Sequence, residues 1–141
     1  MTDTDKNVLP PHLQLGILGE AVAADYLQSK GYTIVKRNYR YLKYEIDIIA
    51  KTEGYIVFVE VKTRQDRPDN RFGRPASAVD AEKRRNLTRA AKAFVKYLNI
   101  KGFRLRFDVI EVFVGKNTST GEDTFKVNHM KGVFGEGGRL V

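Results

Sequence analysis

Asp47, Glu60 and Lys62 stand near the ends of two stretches, YEIDIIAKT and YIVFVEVKTR, otherwise built from β-branched and aromatic residues. Charges at such positions cost several kcal/mol when buried unless they are paired or bind a metal. Neighbouring strands lie about 4.8 Å apart, so Asp47 and Glu60 projecting from one face would bring two carboxylates onto a single divalent cation. Lys62 stays on the face of Glu60, roughly 7 Å further along the strand. Hard oxygen ligands suit Mg²⁺ or Mn²⁺, which keep several waters and accept phosphate oxygens. A lysine beside such an ion orients or deprotonates water and offsets charge on a phosphorane-like transition state. The set is that of a phosphodiester-hydrolysing site. The alternative is a plain hairpin with solvated charges or an exposed Glu60–Lys62 ion pair.

The spacing predicts that Tyr44–Arg64 forms two strands turning at Thr52-Glu53-Gly54. Strict alternation puts Glu45, Asp47 and Ile49 on one face and Tyr44, Ile46 and Ile48 on the other. In the second strand Phe58, Glu60, Lys62 and Arg64 oppose Val57, Val59 and Val61. Upstream, Leu13–Lys30 reads as a helix stopped by Gly31, with Gly16, Ile17, Ala23, Ala24 and Leu27 surrounding Glu20. Glu20 either lies at the margin of that stripe, paired with an arginine, or points toward the sheet edge and adds a carboxylate to the cluster. Glu45 either tunes Asp47 or pairs with Arg64 or Lys83.

Tyr32–Arg40 reads as an edge strand whose Arg37 and Arg40 contact phosphates or simply guard the edge. Arg64 leaves its strand beside Glu60 and Lys62, where a guanidinium clamps a phosphate. Residues 65–76 form a loop with Arg67, Arg71 and Arg74 as strand-gripping candidates; its Phe72 either stacks on a base or anchors the loop. A second helix is expected from Val79-Asp80 to Asn99, burying Val79, Leu87, Ala90, Ala91, Phe94, Tyr97 and Leu98. Lys83 lies in that stripe and reaches the acids with its long stem, while Arg85, Arg89, Lys92 and Lys96 face outward. Phe103–Val114 is a strand whose Asp108 resembles another metal ligand, though pairing with a neighbouring basic residue is the preferred reading. A polar turn and a short strand, Thr124–Met130, follow, with His129 too isolated in the sequence to be assigned as a ligand or base. The division is a tail at 1–12, one domain at 13–130 and a loose segment at 131–141.

At 141 residues the chain suffices for one domain with one core. It has no cysteine, which excludes disulfides and thiolate metal sites and fits a reducing compartment. The first residues, MTDTDKNVLPPHL, lack a signal peptide's apolar run, and no stretch approaches the roughly 18 apolar residues of a membrane span. A cytoplasmic protein without a membrane partner is expected. The net charge of +8 favours an acidic polyelectrolyte, with DNA foremost and RNA left open.

The order Asp47, then Glu60-Val61-Lys62, resembles that of the PD-(D/E)xK nuclease superfamily. The wider string resembles the YraN family of small bacterial proteins, similar in fold to archaeal Holliday-junction resolvases. The matching segments are GILGEAVAADYLQSKGY (16–32), RNYR (37–40), EIDIIA (45–50), FVEVKTR (58–64) and FGRPASAV with the later Lys83, together covering about residues 13–110. These proteins usually carry Gly before Glu-Ile-Asp, where this chain has Tyr44. The resemblance implies a restriction-endonuclease-like α/β core, a central mixed sheet flanked by α-helices. It implies a Mg²⁺- or Mn²⁺-dependent endonuclease acting on DNA, branched DNA included, often as a homodimer. Asp47, Glu60 and Glu20 would hold metal, with Lys62 completing the catalytic set; Arg40, Arg64, Arg71, Arg74 and Lys83 are the nucleic-acid-binding candidates. The rival readings are an accessory nucleic-acid-binding protein on the same fold, with little or no catalysis, and a ribosome- or RNA-associated basic protein.

Overall fold

The structure is a computed structural model describing residues 10–67 and 81–134. Its elements in chain order are α1 (Pro11–Ser29), β1 (Thr33–Tyr41), β2 (Tyr44–Thr52), β3 (Tyr55–Gln65), α2 (Ala81–Tyr97), β4 (Arg104–Lys116) and β5 (Asp123–Phe134). The strands lie in the sheet in sequence order. Neighbours run antiparallel except β3 and β4, which pair in parallel from Tyr55 opposite Arg104 to Gln65 opposite Val114. The long connection containing α2 permits that parallel step, since a short turn cannot return the chain to the same end. The fold is α/β, a five-stranded mixed sheet with a helix on each face.

Two apolar layers result. On one face Ala23, Ala24 and Leu27 of α1 pack on Ile48, Ala50, Val57, Val59, Ile110 and Val112. On the other, Leu87, Ala90, Ala91, Phe94 and Val95 of α2 pack on Ile46, Ile49, Ile56, Phe58, Leu105 and Phe107. Coverage of both faces explains why β3 and β4 read as nearly continuous apolar runs.

Several expectations are corrected. Helix α1 begins at Pro11, not Leu13, because proline's fixed φ suits the first helical position and its missing N–H has no partner there anyway. Its buried stripe runs through Gly19, Ala23, Ala24 and Leu27, and Ile17 is exposed. Helix α2 ends at Tyr97, leaving Tyr97 and Leu98 in solvent, while Val95 takes a place in the core. Asn99 adopts a left-handed φ of 53°, and Ile100 N–H returns to Val95 O at 2.9 Å. That cap turns Ile100 onto the core in place of Leu98. Alternation in β2 also breaks: Ile46 joins Ile49 on the α2 side, while Ile48 faces α1. The break falls at Asp47, where Asn38 of β1, also at φ 53°, lies opposite. Val79 and the expected cap Asp80 lie outside the described residues.

Candidate functional site

The β2–β3 ladder stops at Ile48 opposite Val59, although both strands continue. The Asp47 side chain takes over where the ladder ends: its Oδ2 accepts the Val61 N–H at 2.8 Å. The bond holds the carboxylate next to Glu60. Asp47 is pushed up to about 6, mainly by burial; the Val61 hydrogen bond opposes the shift, and the charges of Glu20, Glu60 and Glu45 add to it.

Glu60 Oε1 receives two ammonium groups, Lys83 Nζ from α2 at 3.1 Å and Lys62 Nζ at 3.4 Å. Lys83 therefore brings its charge to the acids, as its place in the buried stripe of α2 led us to expect.

Glu20 reaches the sheet because Gly19 lets α1 approach β3; a Cβ at Gly19 would overlap the Thr63 side chain. Burial raises the Glu20 carboxyl above its ordinary value; Arg37 opposes the shift and Glu45 adds to it. The Asn38 amide is assigned with its nitrogen toward the acids, because its oxygen there would face only acceptors; so assigned, it donates to Glu20 Oε1 and to Glu45 Oε1, both at 3.0 Å. Glu45 also meets the exposed Arg40 at 3.7 Å, so its cationic partner is Arg40 rather than Arg64 or Lys83. Sequence reasoning passed over Asn38. The signal was an asparagine, a poor strand former tolerant of positive φ, inside a run of strand-forming residues.

Arg64 lies on the same face but is held from behind. Its Nε donates to Oε2 of the buried Glu111 at 3.2 Å, and Asn128 of β5 donates to Oε1 of the same carboxylate at 3.0 Å. Arg71, Arg74 and Phe72 lie outside the described residues. Tyr44 accepts a hydrogen bond from Asn86 of α2 at 2.6 Å, which fixes this ring against the helix.

Asp108 is on the α1 side and is buried in a separate network. It accepts from Arg106 Nε at 2.9 Å, Arg106 Nη2 at 2.8 Å and Gly132 N–H at 3.0 Å, and its Oδ2 meets His129 Nε2 at 2.7 Å. Arg106 also donates to the Tyr32 hydroxyl at 2.7 Å, and His129 Nδ1 contacts the Tyr26 hydroxyl at 3.2 Å. The pairing of Asp108 with a basic neighbour is as expected; His129 gains a partner that the sequence did not reveal, because the β4–β5 ladder carries it over Asp108.

A cavity of about 80 Å³ opens beside Glu45, Asp47, Glu60 and Lys83 and is floored by Phe58, Leu87 and Phe107. It has room for several waters, with polar partners on one wall. Among the described residues no three His, Asp or Glu side chains form a ready-made cage for an ion. The donor set fits an ion held by one or two carboxylates that retains its water, the habit of Mg²⁺. Among the described residues no helix is long and apolar enough to cross a membrane.

A family model described as "Uncharacterised protein family UPF0102" matches residues 19–112. A UPF0102 protein of Caldanaerobacter subterraneus subsp. tengcongensis is 41% identical over 120 residues, spanning 85% of this chain and 93% of its own. Another, from Chlorobium chlorochromatii, is 43% identical over 129 residues, 89% of this chain and 95% of its own. A third, from Symbiobacterium thermophilum, is 45% identical over 102 residues, 72% of this chain and 84% of its own.

Proposed function

The chain belongs to the UPF0102 family, and for this member we propose a divalent-metal-dependent endonuclease of PD-(D/E)xK type that hydrolyses phosphodiester bonds in DNA, branched DNA included. The observation that carries this reading is the half-buried Asp47, pinned beside Glu60 at the splayed ends of β2 and β3 with its carboxyl raised to about 6. Crowded carboxylates of this kind make poor structural elements and good cation ligands.

In this reading Asp47 and Glu60 hold Mg²⁺ or Mn²⁺, and Glu20 completes the acidic wall. The ion, when bound, polarises the scissile phosphate and neutralises its developing charge. The Lys62 ammonium orients the attacking water and offsets the charge that builds as the new P–O bond forms, while the water's proton passes to bulk solvent. The opposite P–O bond breaks, leaving one phosphate end and one hydroxyl end. Lys83, Arg64 and Arg40 border the site as contacts for the DNA backbone, which carries no sequence information itself. Two copies acting in the cytoplasm on the symmetric strands of a junction belong to the same proposal.

The test is nicking of labelled four-way-junction, flap, single-stranded and duplex DNA with Mn²⁺, using wild type, Asp47→Ala and Lys62→Ala. Cleavage by the wild type and its loss in both variants is the expected result. A double variant that retains full activity sinks the assignment.

One observation favours a second reading, an accessory nucleic-acid-binding protein with little or no catalysis: both lysines already compensate the same Glu60 oxygen. It predicts structure-dependent DNA binding without cleavage and no rise in melting temperature with Mn²⁺. Binding to DNA and RNA measured across a salt series separates structure preference from plain charge attraction.

A further inference from the structure

We propose that Asn38 is a positioning residue for the metal-binding acids: its side-chain amide ties Glu20 of α1 to Glu45 of β2 and so seats Glu20 beside Asp47. This inference rests on the nuclease reading above. Asn38 lies opposite Asp47, between the pairs Arg37–Ile48 and Tyr39–Ile46. Its φ of 53° is a conformation that asparagine tolerates better than most residues. One amide nitrogen has two hydrogens, and the two carboxylates at 3.0 Å take one each.

The choice of an amide has a chemical consequence. An ammonium or guanidinium at this position would cancel the charge of the acids it held, as the two lysines do at Glu60. A neutral amide gathers two carboxylates and leaves their charge available to a cation. Without it, Glu20 and Glu45 repel each other, and the half-buried Glu20, drawn by the charge of Arg37 but no longer tied to Glu45, can swing outward from α1. Arg40 does not replace the clip: among the described residues its ion pair is with Glu45, at 3.7 Å, with 74% of its side chain exposed.

The experiment is Asn38→Gly, which keeps the left-handed backbone comfortable and removes only the amide. Mn²⁺ affinity is measured by calorimetric titration of the wild type, Asn38→Gly, Glu20→Ala and the double variant. Metal-free melts and steady-state DNA cleavage accompany the titrations. The expected result is Mn²⁺ binding about tenfold weaker in Asn38→Gly, the scale of loss seen when a ligand's supporting partner is removed. The metal-free melt stays near that of the wild type, kcat falls with KM for DNA retained, and excess Mn²⁺ restores activity. In the Glu20→Ala background the same substitution adds nothing, because its effect runs through Glu20. Unchanged Mn²⁺ affinity in Asn38→Gly, or losses that simply add, overturns this inference while leaving a cleaving wild type as a nuclease. A wild type that neither binds Mn²⁺ nor cuts DNA removes the nuclease reading and this inference with it.

Discussion

Asp47 and Val61 are joined across the opening between β2 and β3 by one hydrogen bond, 2.8 Å from the backbone N–H to Oδ2. The bond fixes a carboxyl whose burial and acidic neighbours favour its protonated form. A free aspartate titrates near 3.9, so between about pH 4 and 6 the folded state binds this proton more tightly than the unfolded chain. The stability Asp47 contributes is therefore full below about 4 and lost as pH rises through about 6. A divalent ion requires the ionised form, so the Mn²⁺-induced rise in melting temperature grows between about pH 5 and 7. Asp47→Asn keeps the acceptor for Val61 and is expected to stabilise the metal-free protein at neutral pH by about 1–2 kcal/mol while abolishing the Mn²⁺ response. Melts at stepped pH check both; a response flat with pH excludes the account.

Two glycines one turn apart in α1 predict opposite outcomes. Gly16 has nothing within 4 Å of an added Cβ, and Gly16→Ala should stabilise the helix by about 0.5–1 kcal/mol. Gly19→Ala places a methyl into Thr63, an overpacking that costs about 1–3 kcal/mol and pushes α1 off β3. Glu20 moves with the helix, so Gly19→Ala should also weaken Mn²⁺ binding. Urea unfolding and metal titration of the two variants side by side make the comparison.

Asp108 is a structural acid. Burial alone would raise its carboxyl, but hydrogen bonds from His129, Arg106 and Gly132 outweigh that and hold it below its ordinary value. Its contribution is present above about pH 4 and lost as pH falls through the lower folded value. Asp108→Ala removes the carboxylate from a mostly buried Arg106, leaving it the Tyr32 hydroxyl and the Tyr32 and Tyr55 rings, and should cost about 3–5 kcal/mol without removing any of the acids around Asp47. Asp108→Asn should flatten the acid limb of the stability curve. Chemical denaturation at a series of pH values reads both.

The alternation of β3, the positions of both helices and the convergence of Lys83 on Glu60 were legible in the sequence, because each follows from a local period of 2 or 3.6 residues. What escaped were features that depend on a second strand. The parity change in β2 is set partly by Asn38 on its neighbour. His129 looked isolated because its partner Asp108 is 21 residues away and meets it only through the β4–β5 register. Glu111 is a charge inside the apolar run VIEVFV; the parallel register of β3 and β4 sets Lys62 opposite it, and only the side-chain geometry shows that Arg64, two residues further on, fills the pair.

The single parallel step in the sheet also sets an order of events in time. The β2–β3 hairpin closes through Glu53-Gly54, whereas β3 cannot meet β4 until the stretch 66–103 has been looped back. Non-local pairing of that kind is slow to form. Refolding kinetics should accordingly place the hairpin in the transition state: Gly54→Ala slows folding, while Ala90→Gly in α2 mainly speeds unfolding. Asp47 and Glu60 then stand as neighbours on a nascent ribbon before Lys83 arrives to compensate them. In the proposed reading those acids, with only Lys62 beside Glu60, are then most open to a divalent cation, and the folding rate should rise with its concentration.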